Sequence, residues 1–325
     1  TTSLGERTSD NNAPSVLIIV LNWMKFDDTI NCVASLKKLS YSNFKILVVD
    51  NDSKNESVGE IKKAFPDLLI IASKENIGYA AGNKIGVDFA LKNNFDSVWI
   101  LNNDCTVRPD SLSELVKSYK RNGTAIFSNL TLMSENPDII HYAGTYDIKE
   151  ELQPGKFPTY DKLKGKLLSD YIDELKEKPA RIYGHSLFIP IEVIKKFGFM
   201  DTEYFMFYEE MDYCHSLNDL GVPSIFTPKA IITHVSTSTF SLSSKMKFVG
   251  SYYGARNKLY FDQKFSSGDS ISIFSKLYKI TELIKYLVVR MVLNKEKGED
   301  YYINIGLLHG LLGLRGKRLR PEDLI

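Results

Sequence analysis

The chain has 325 residues, enough for one large α/β domain with an appendage or for two domains. With 43% hydrophobic and 25% charged residues and only 20 Gly and 11 Pro, it is neither collagen-like, nor low-complexity, nor wholly disordered. Its 41 basic and 40 acidic residues leave a net charge of +1, so no whole-chain field points to nucleic acid, although residues 245–325 hold 15 basic against 8 acidic residues.

Residues 1–14 are polar, lack the apolar centre of a signal peptide, and read as a disordered leader. Ser15 to Leu21 is then a continuous apolar run, the pattern of a strand covered on both faces. A helix is expected over Phe26–Leu39, a strand over Lys45–Val49, a helix over Val58–Phe65, a strand over Leu68–Ile71, a helix over Tyr79–Lys92 and a strand over Ser97–Leu101. A helix over Ser111–Lys120 and a strand over Thr124–Phe127 continue the alternation, which predicts a mostly parallel sheet with helices on both faces. Periodicity fades from Pro137 to Pro179. It returns as a strand over Ile182–Pro190, a short helix over Ile191–Phe197, a helical stretch over Phe205–Leu220 and a strand over Ile225–Thr233. Past Phe240 the chain reads as helical, with amphipathic segments near Lys245–Phe261 and Ile273–Leu293. The division expected is a leader at 1–14, a catalytic domain at 15–240 and a basic helical extension at 241–325.

An open parallel sheet binds its ligand beyond the carboxyl ends of its strands, and the polar residues gather there. Asp50, Asn51, Asp52 and Ser53 follow the second strand, as nucleotide-binding groups or simply as a turn. Gly78, Gly82 and Gly86 recur every four residues along one helix face, where they admit a ligand or, more simply, tight packing. Neither a dinucleotide-binding GxGxxG nor a P-loop follows a strand. Asp104 closes the fourth strand and suits a divalent cation, with its alternative a turn cap. Glu209 and Asp212 share a helix face and Glu210 points elsewhere, so the carboxylates can have separate tasks; one of them in an aromatic cleft suits general-base work. His234 directly follows a strand and pairs with Asp104 as a second metal-ligand candidate, against a purely structural histidine. Cys32, Cys105 and Cys214 have no metal-site spacing and point to a reducing compartment.

The order of Val-Leu-Ile-Ile-Val-Leu-Asn-Trp, Val-Val-Asp-Asn-Asp-Ser, Glu-Asn-Ile-Gly-Tyr-Ala-Ala-Gly-Asn, Leu-Asn-Asn-Asp, Gly184-His-Ser-Leu, Phe-Gly-Phe-Met-Asp201, Tyr-Glu-Glu-Met-Asp-Tyr-Cys and Arg256-Asn257 resembles glycosyltransferase family 2, the inverting GT-A enzymes, and within it the bacterial rhamnosyltransferase-like branch. The resemblance runs from about Ser15 to Phe261. It implies a GT-A, Rossmann-like fold and a nucleotide-sugar donor held by Asn22, Asp50, Asp52, Asn76, Gly78, Asn83, Asn103, Gly184 and His185. It also implies Mg²⁺ or Mn²⁺ on Asp104 and His234, in a metal motif whose first acid is replaced by Asn102. Glu210, or its neighbour Glu209, falls at the place of the catalytic base, and Asp212 and Arg256 on the acceptor side. The donor expected is dTDP-L-rhamnose, with UDP-GlcNAc second, and the acceptor a lipid-linked glycan in bacterial surface polysaccharide synthesis.

The basic amphipathic tail suggests either contact with the inner face of the cell membrane, in an otherwise cytoplasmic protein, or packing on the core or on a second subunit as a homodimer. No apolar run approaches the roughly 20 residues of a spanning helix. Two other classes compete: a sugar-1-phosphate nucleotidyltransferase, whose Gly-rich N-terminal signature is absent, and a nucleotide-sugar-binding scaffold without catalysis, against which Asp104, Glu210 and His234 speak.

Overall fold

The computed structural model describes residues 13–144, 163–180, 182, 184–235, 243, 245–265, most of 277–289, and 297–324. Its first half alternates strictly: β1 (Val16–Asn22), α1 (Phe26–Leu36), β2 (Phe44–Asp50), α2 (Ser57–Ala64), β3 (Leu69–Ala72), α3 (Tyr79–Lys92) and β4 (Ser97–Asn102). There follow β5 (Cys105–Val107), α4 (Ser111–Asn122), β6 (Ile126–Met133), β7 (Ile140–Tyr142), β8 (Lys178–Pro179), β9 (Ser186–Pro190), α5 (Ile191–Phe197), α6 (Glu209–Asp219) and β10 (Ser224–His234). Helices α7 (Met246–Phe265) and α8 (Glu299–Leu311) follow β10, and residues 280–285 between them are also helical.

The strands form one sheet in the order β3-β2-β1-β4-β9-β6-β10-β5, with β7 on β6 and β8 on β10. β3, β2, β1 and β4 run parallel, and so do β6 and β10, whereas β9 runs antiparallel between β4 and β6. The sheet is thus mostly parallel, as the alternation requires. Val16 to Val20 are completely buried because both faces are covered. One face packs Val16, Ile18 and Val20 with Cys32, Val33 and Leu36 of α1 and Leu112 and Leu115 of α4. The other packs Leu17 and Ile19 with Ala80, Val87 and Ala90 of α3.

The four-residue spacing of the glycines is spent on close packing. A Cβ at Gly82 would lie 2.6 Å from Leu21 and one at Gly86 2.7 Å from Ile19, so α3 lies directly on β1.

Several expected elements differ. β6 runs on to Met133, and β9 begins at Ser186, not Ile182. Helix α6 begins only at Glu209: Thr202–Tyr204 is a 3-10 turn, and Phe205, Phe207 and Tyr208 have φ of +66°, +66° and +74°. Residues 1–12 and most of the amphipathic segment expected at Ile273–Leu293 lie outside the described residues.

Candidate active site

The carboxyl ends of β1, β2 and β4 meet the N-terminus of α3 around a cleft lined by Trp23, Asn51, Asn76, Gly78, Tyr79, Asn102, Asn103, Phe205 and Met206. Of the residues expected on the donor side, Asn76, Gly78 and Asn103 line this cleft, and several of the others hold its loops in shape. Asn22, fully buried, donates to Asp50 Oδ2 (2.6 Å) and accepts from Thr29 Oγ1 (2.6 Å). Asp50 Oδ1 accepts from Ser53 N (2.9 Å), which makes the turn after β2, while Asp52 keeps a left-handed φ of +65° and pairs with Lys54 at 2.6 Å. Asn51 donates to Asn76 Oδ1 and Gly78 O (both 3.1 Å), and Asn103 donates to Lys25 O (3.2 Å) and Thr29 Oγ1 (3.0 Å). Asn83 is buried inside α3, donating to Tyr79 O, and does not line the cleft.

Gly78 has φ +88°, and a Cβ there would collide with the backbone of Phe205, so only glycine lets the 203–208 segment come down on the start of α3. Tyr79 N donates to Phe205 O at 2.8 Å. The Tyr79 hydroxyl donates to Gly184 O, and Gly184 in turn abuts Glu210, whose Cγ would be 3.0 Å from a Cβ added there. Glu210 therefore packs on Gly184, which accepts from Tyr79 of the cleft lining.

Glu209 differs from its neighbour: it is 3% exposed, its Oε2 has no hydrogen-bond partner among the described residues, and burial, then the nearby Glu210 charge, pushes its carboxyl well above the ordinary range. A buried, proton-retaining acid beside a more exposed one gives the pair two different chemical characters. Asp212 is committed inward, accepting from the Tyr204 hydroxyl (2.7 Å) and pairing with Lys264 (2.6 Å). Arg256, 2% exposed, donates to the carbonyls of Tyr204 (2.7 Å), Glu203 (3.4 Å) and Gly316. Asp212 and Arg256, the residues expected on the acceptor side, are both buried with polar groups bonded within the protein.

At the other end of the sheet edge, Asp104 Oδ1 and His234 Nε2 lie 3.2 Å apart. Asp104 Oδ1 and His234 Nδ1 are buried and have no hydrogen-bond partner among the described residues. A carboxylate oxygen and an imidazole nitrogen that face each other in this way, Asp104 Oδ1 and His234 Nε2, fit a divalent cation, which would satisfy the orphaned Asp104 Oδ1. Cys105 Sγ is close enough to join them, but burial first and Asp104 second push its thiol well above its ordinary range, so it is a poor thiolate donor. His185 stacks on His234 with ring centroids 4.7 Å apart and an 18° interplanar angle, and its Nε2 meets Thr131 Oγ1 at 2.7 Å. Burial holds His185 well below its ordinary value and holds His141, 5.3 Å from His234, at about 4, so both are neutral near pH 7. His141 escaped sequence reasoning because it lies on a three-residue strand in the region without periodicity; Trp23 and Tyr79, both within quoted motifs, carried no separate signal.

A mostly parallel sheet with a carboxylate and imidazole at its edge, a cleft over three strand ends and a carboxylate pair at the start of α6 defines a GT-A type transferase. Residues 15–175 match the family model described as glycosyl transferase family 2. The chain is 25% identical over 320 residues to the low-salt glycan biosynthesis hexosyltransferase Agl10 of Haloferax volcanii, covering 94% of this chain and 93% of that one. Among solved structures it resembles the mannosyltransferase PcManGT of Pyrobaculum calidifontis in complex with GDP-Man and Mn²⁺ (TM-score 0.54, 12% identity, 93% of this chain and 87% of that one). It also resembles GalNAc-T7 with UDP, GalNAc and Mn²⁺ (TM-score 0.54, 17% identity), covering 70% of this chain but only 44% of that longer protein. With the family match over residues 15–175 and the hexosyltransferase relative along most of its length, the chain is a glycosyltransferase. No helix among the described residues is long and apolar enough to cross a membrane.

Proposed function

We propose that the protein is a metal-dependent, inverting hexosyltransferase that moves a sugar from a nucleotide diphosphate donor to a hydroxyl of a glycan acceptor. The observation that carries this reading is the Asp104–His234 pair, with Asp104 Oδ1 buried and without a hydrogen bond, directly after Asn102 and Asn103 of the cleft. Asp104 and His234 would hold Mg²⁺ or Mn²⁺, whose charge offsets that of the departing diphosphate. Asn51, Asn76 and Tyr79 face the cleft that takes the donor. Glu210 takes the proton from the acceptor hydroxyl, and the oxygen attacks the anomeric carbon from the face opposite the nucleotide. Glu209 stays protonated beside it and so adds no second negative charge next to the base. No covalent intermediate is required, and the anomeric configuration inverts.

Among donors, dTDP-L-rhamnose comes first, on the replacement of the first acid of the metal motif by Asn102, and UDP-GlcNAc second. The likeness to a complex with GDP-Man supports a third. The acceptor is a lipid-linked glycan, and the exposed Val288 and Val289 beyond α7 support contact with a membrane surface.

The test is a thermal-shift panel of dTDP-rhamnose, UDP-GlcNAc, UDP-Glc, UDP-Gal and GDP-mannose with and without Mn²⁺; a donor at 100 times its Kd stabilises by about 2.7 kcal/mol. Mn²⁺ binding followed by electron paramagnetic resonance should weaken in Asp104→Asn, whose amide nitrogen cannot ligate. A shift that ignores metal, or Asp104→Asn that binds Mn²⁺ as wild type does, contradicts the metal assignment.

A further inference from the structure

The basic end of the chain has work inside the molecule. Helices α7 and α8 pack so closely that a Cβ at Gly310 would lie 3.0 Å from Arg256 O, and after α8 the chain turns back over the catalytic half. Gly316 N donates to Glu203 O at 2.8 Å, and Gly316 O accepts from Arg256. Tyr253 Oη donates to Leu319 O at 2.7 Å, and Arg315 stacks 3.7 Å from the Tyr260 ring centroid. Lys317 reaches furthest: its Nζ donates to Asn76 O at 2.9 Å, pairs with Glu322 and lies 5.7 Å from the centre of the Phe205 ring. Asn76 and Phe205 both line the cleft.

We infer that residues 315–319 form a positioning strap that completes the cleft, with Lys317 holding the Asn76 loop and the Phe205 roof in register. The inference rests on reading that cleft as the donor site. Its physical basis is that Phe205, Phe207 and Tyr208 are held in the left-handed region, a conformation that persists only where the surroundings over-determine it. Part of that surrounding is supplied from more than a hundred residues downstream. The strap also explains the excess of positive charge at this end: Arg315 and Lys317 are directed at an aromatic ring, a carbonyl and a carboxylate of the same chain. Lys317 touches no reacting atom and acts through Asn76 and Phe205.

The experiment compares full-length wild type, Lys317→Ala, Lys317→Arg and the surface control Lys117→Ala in two readouts. In hydrogen exchange without ligand, amides of residues 76–79 and 203–208 should exchange about tenfold faster in Lys317→Ala, the loss of one charge-assisted hydrogen bond, with β1 and β4 unchanged. In binding of UDP, dTDP and GDP with Mn²⁺, and then in turnover, Lys317→Ala should raise the nucleotide Kd and the donor KM about tenfold while kcat stays within about twofold. Lys317→Arg should restore most of both, and Lys117→Ala should match wild type. Unchanged exchange at 203–208, or kcat falling in step with KM and melting temperature, overturns the strap. Should wild type bind none of the nucleotides, the donor reading falls, and the exchange readout decides the strap by itself.

Discussion

At the Asp104–His234 edge, buried polar atoms lie without hydrogen-bond partners, whereas across the cleft six consecutive carbonyls, Glu203 to Tyr208, are all taken. Asn257 Nδ2 alone lies within 3.0 Å of the carbonyls of Tyr204, Met206 and Phe207. An orphaned buried oxygen costs free energy in the empty fold and is repaid on binding, so it marks where a ligand belongs. A fully bonded segment in a strained conformation has the opposite purpose: it is there to stay still. Left-handed Phe205, Phe207 and Tyr208 cost on the order of 1–3 kcal/mol each, and the clamp offsets that cost. The two rims therefore divide the labour into reception on one side and preorganisation on the other, and Glu210 follows directly on the preorganised side.

The sharpest way to break this contrast is to remove the group proposed as the base and leave both rims intact. Glu210→Gln should lower kcat by roughly 10²–10⁴ with little change in melting temperature, since a general base contributes about that much. A variant that retains full transferase activity removes Glu210 from the mechanism. Next in size is the clamp. Arg256→Met keeps the aliphatic volume but takes one donor from each of three carbonyls, of which Glu203 O and Tyr204 O keep another, and should cost about 2–4 kcal/mol of stability, read by chemical denaturation. If the loss falls below about 1 kcal/mol, the 203–208 segment is held mainly by Asn257 and the strap. Gly78→Ala tests the same rim from the facing side. The collision with Phe205 and the positive φ should together cost about 1–3 kcal/mol and weaken nucleotide binding, and wild-type behaviour would show that the roof can lift without penalty.

The receptive edge was far more legible in the sequence than the clamped one. Buried parallel strands write themselves as unbroken apolar runs, so β1, β2 and β4 fall within about a residue of their expected bounds, with Asp50 at the end of β2 and Asn103 and Asp104 just after β4. Helices Tyr79–Lys92 and Ile191–Phe197 match to the residue because apolar periodicity and flanking Gly or Pro bracket both. Phe205 to Tyr208 read as the start of a helix because their aromatic spacing mimics one. Their left-handed conformation is imposed by Arg256, Asn257 and Gly316, some 50 to 110 residues further along, which no local pattern encodes. β5 and β7 were invisible for a similar reason: three residues carry no period, and both strands exist only as partners of β10 and β6. His141 was lost with β7.

The smallest effect expected separates the two adjacent glutamates. Glu209 is buried, and its carboxyl sits well above the ordinary 4.5 through burial first and the Glu210 charge second. Because its folded value is raised, the stability it contributes is present in full below about pH 4.5 and is lost as pH climbs through the raised value. Wild-type melting temperature should therefore carry a declining component above pH 4.5 that Glu209→Gln, which cannot ionise, lacks. Melting curves of the two proteins from pH 5 to 9 should converge at the acid end and separate at the alkaline end, with the glutamine variant the more stable there. At neutral pH the glutamine mimics the protonated acid, so kcat should change by less than about tenfold, far from the loss at Glu210. Should Glu209→Gln instead abolish turnover while Glu210→Gln spares it, the proton acceptor is the buried carboxylate. Glu210 would then be the group whose charge tunes it, and the preorganised rim would aim its inner residue at the acceptor.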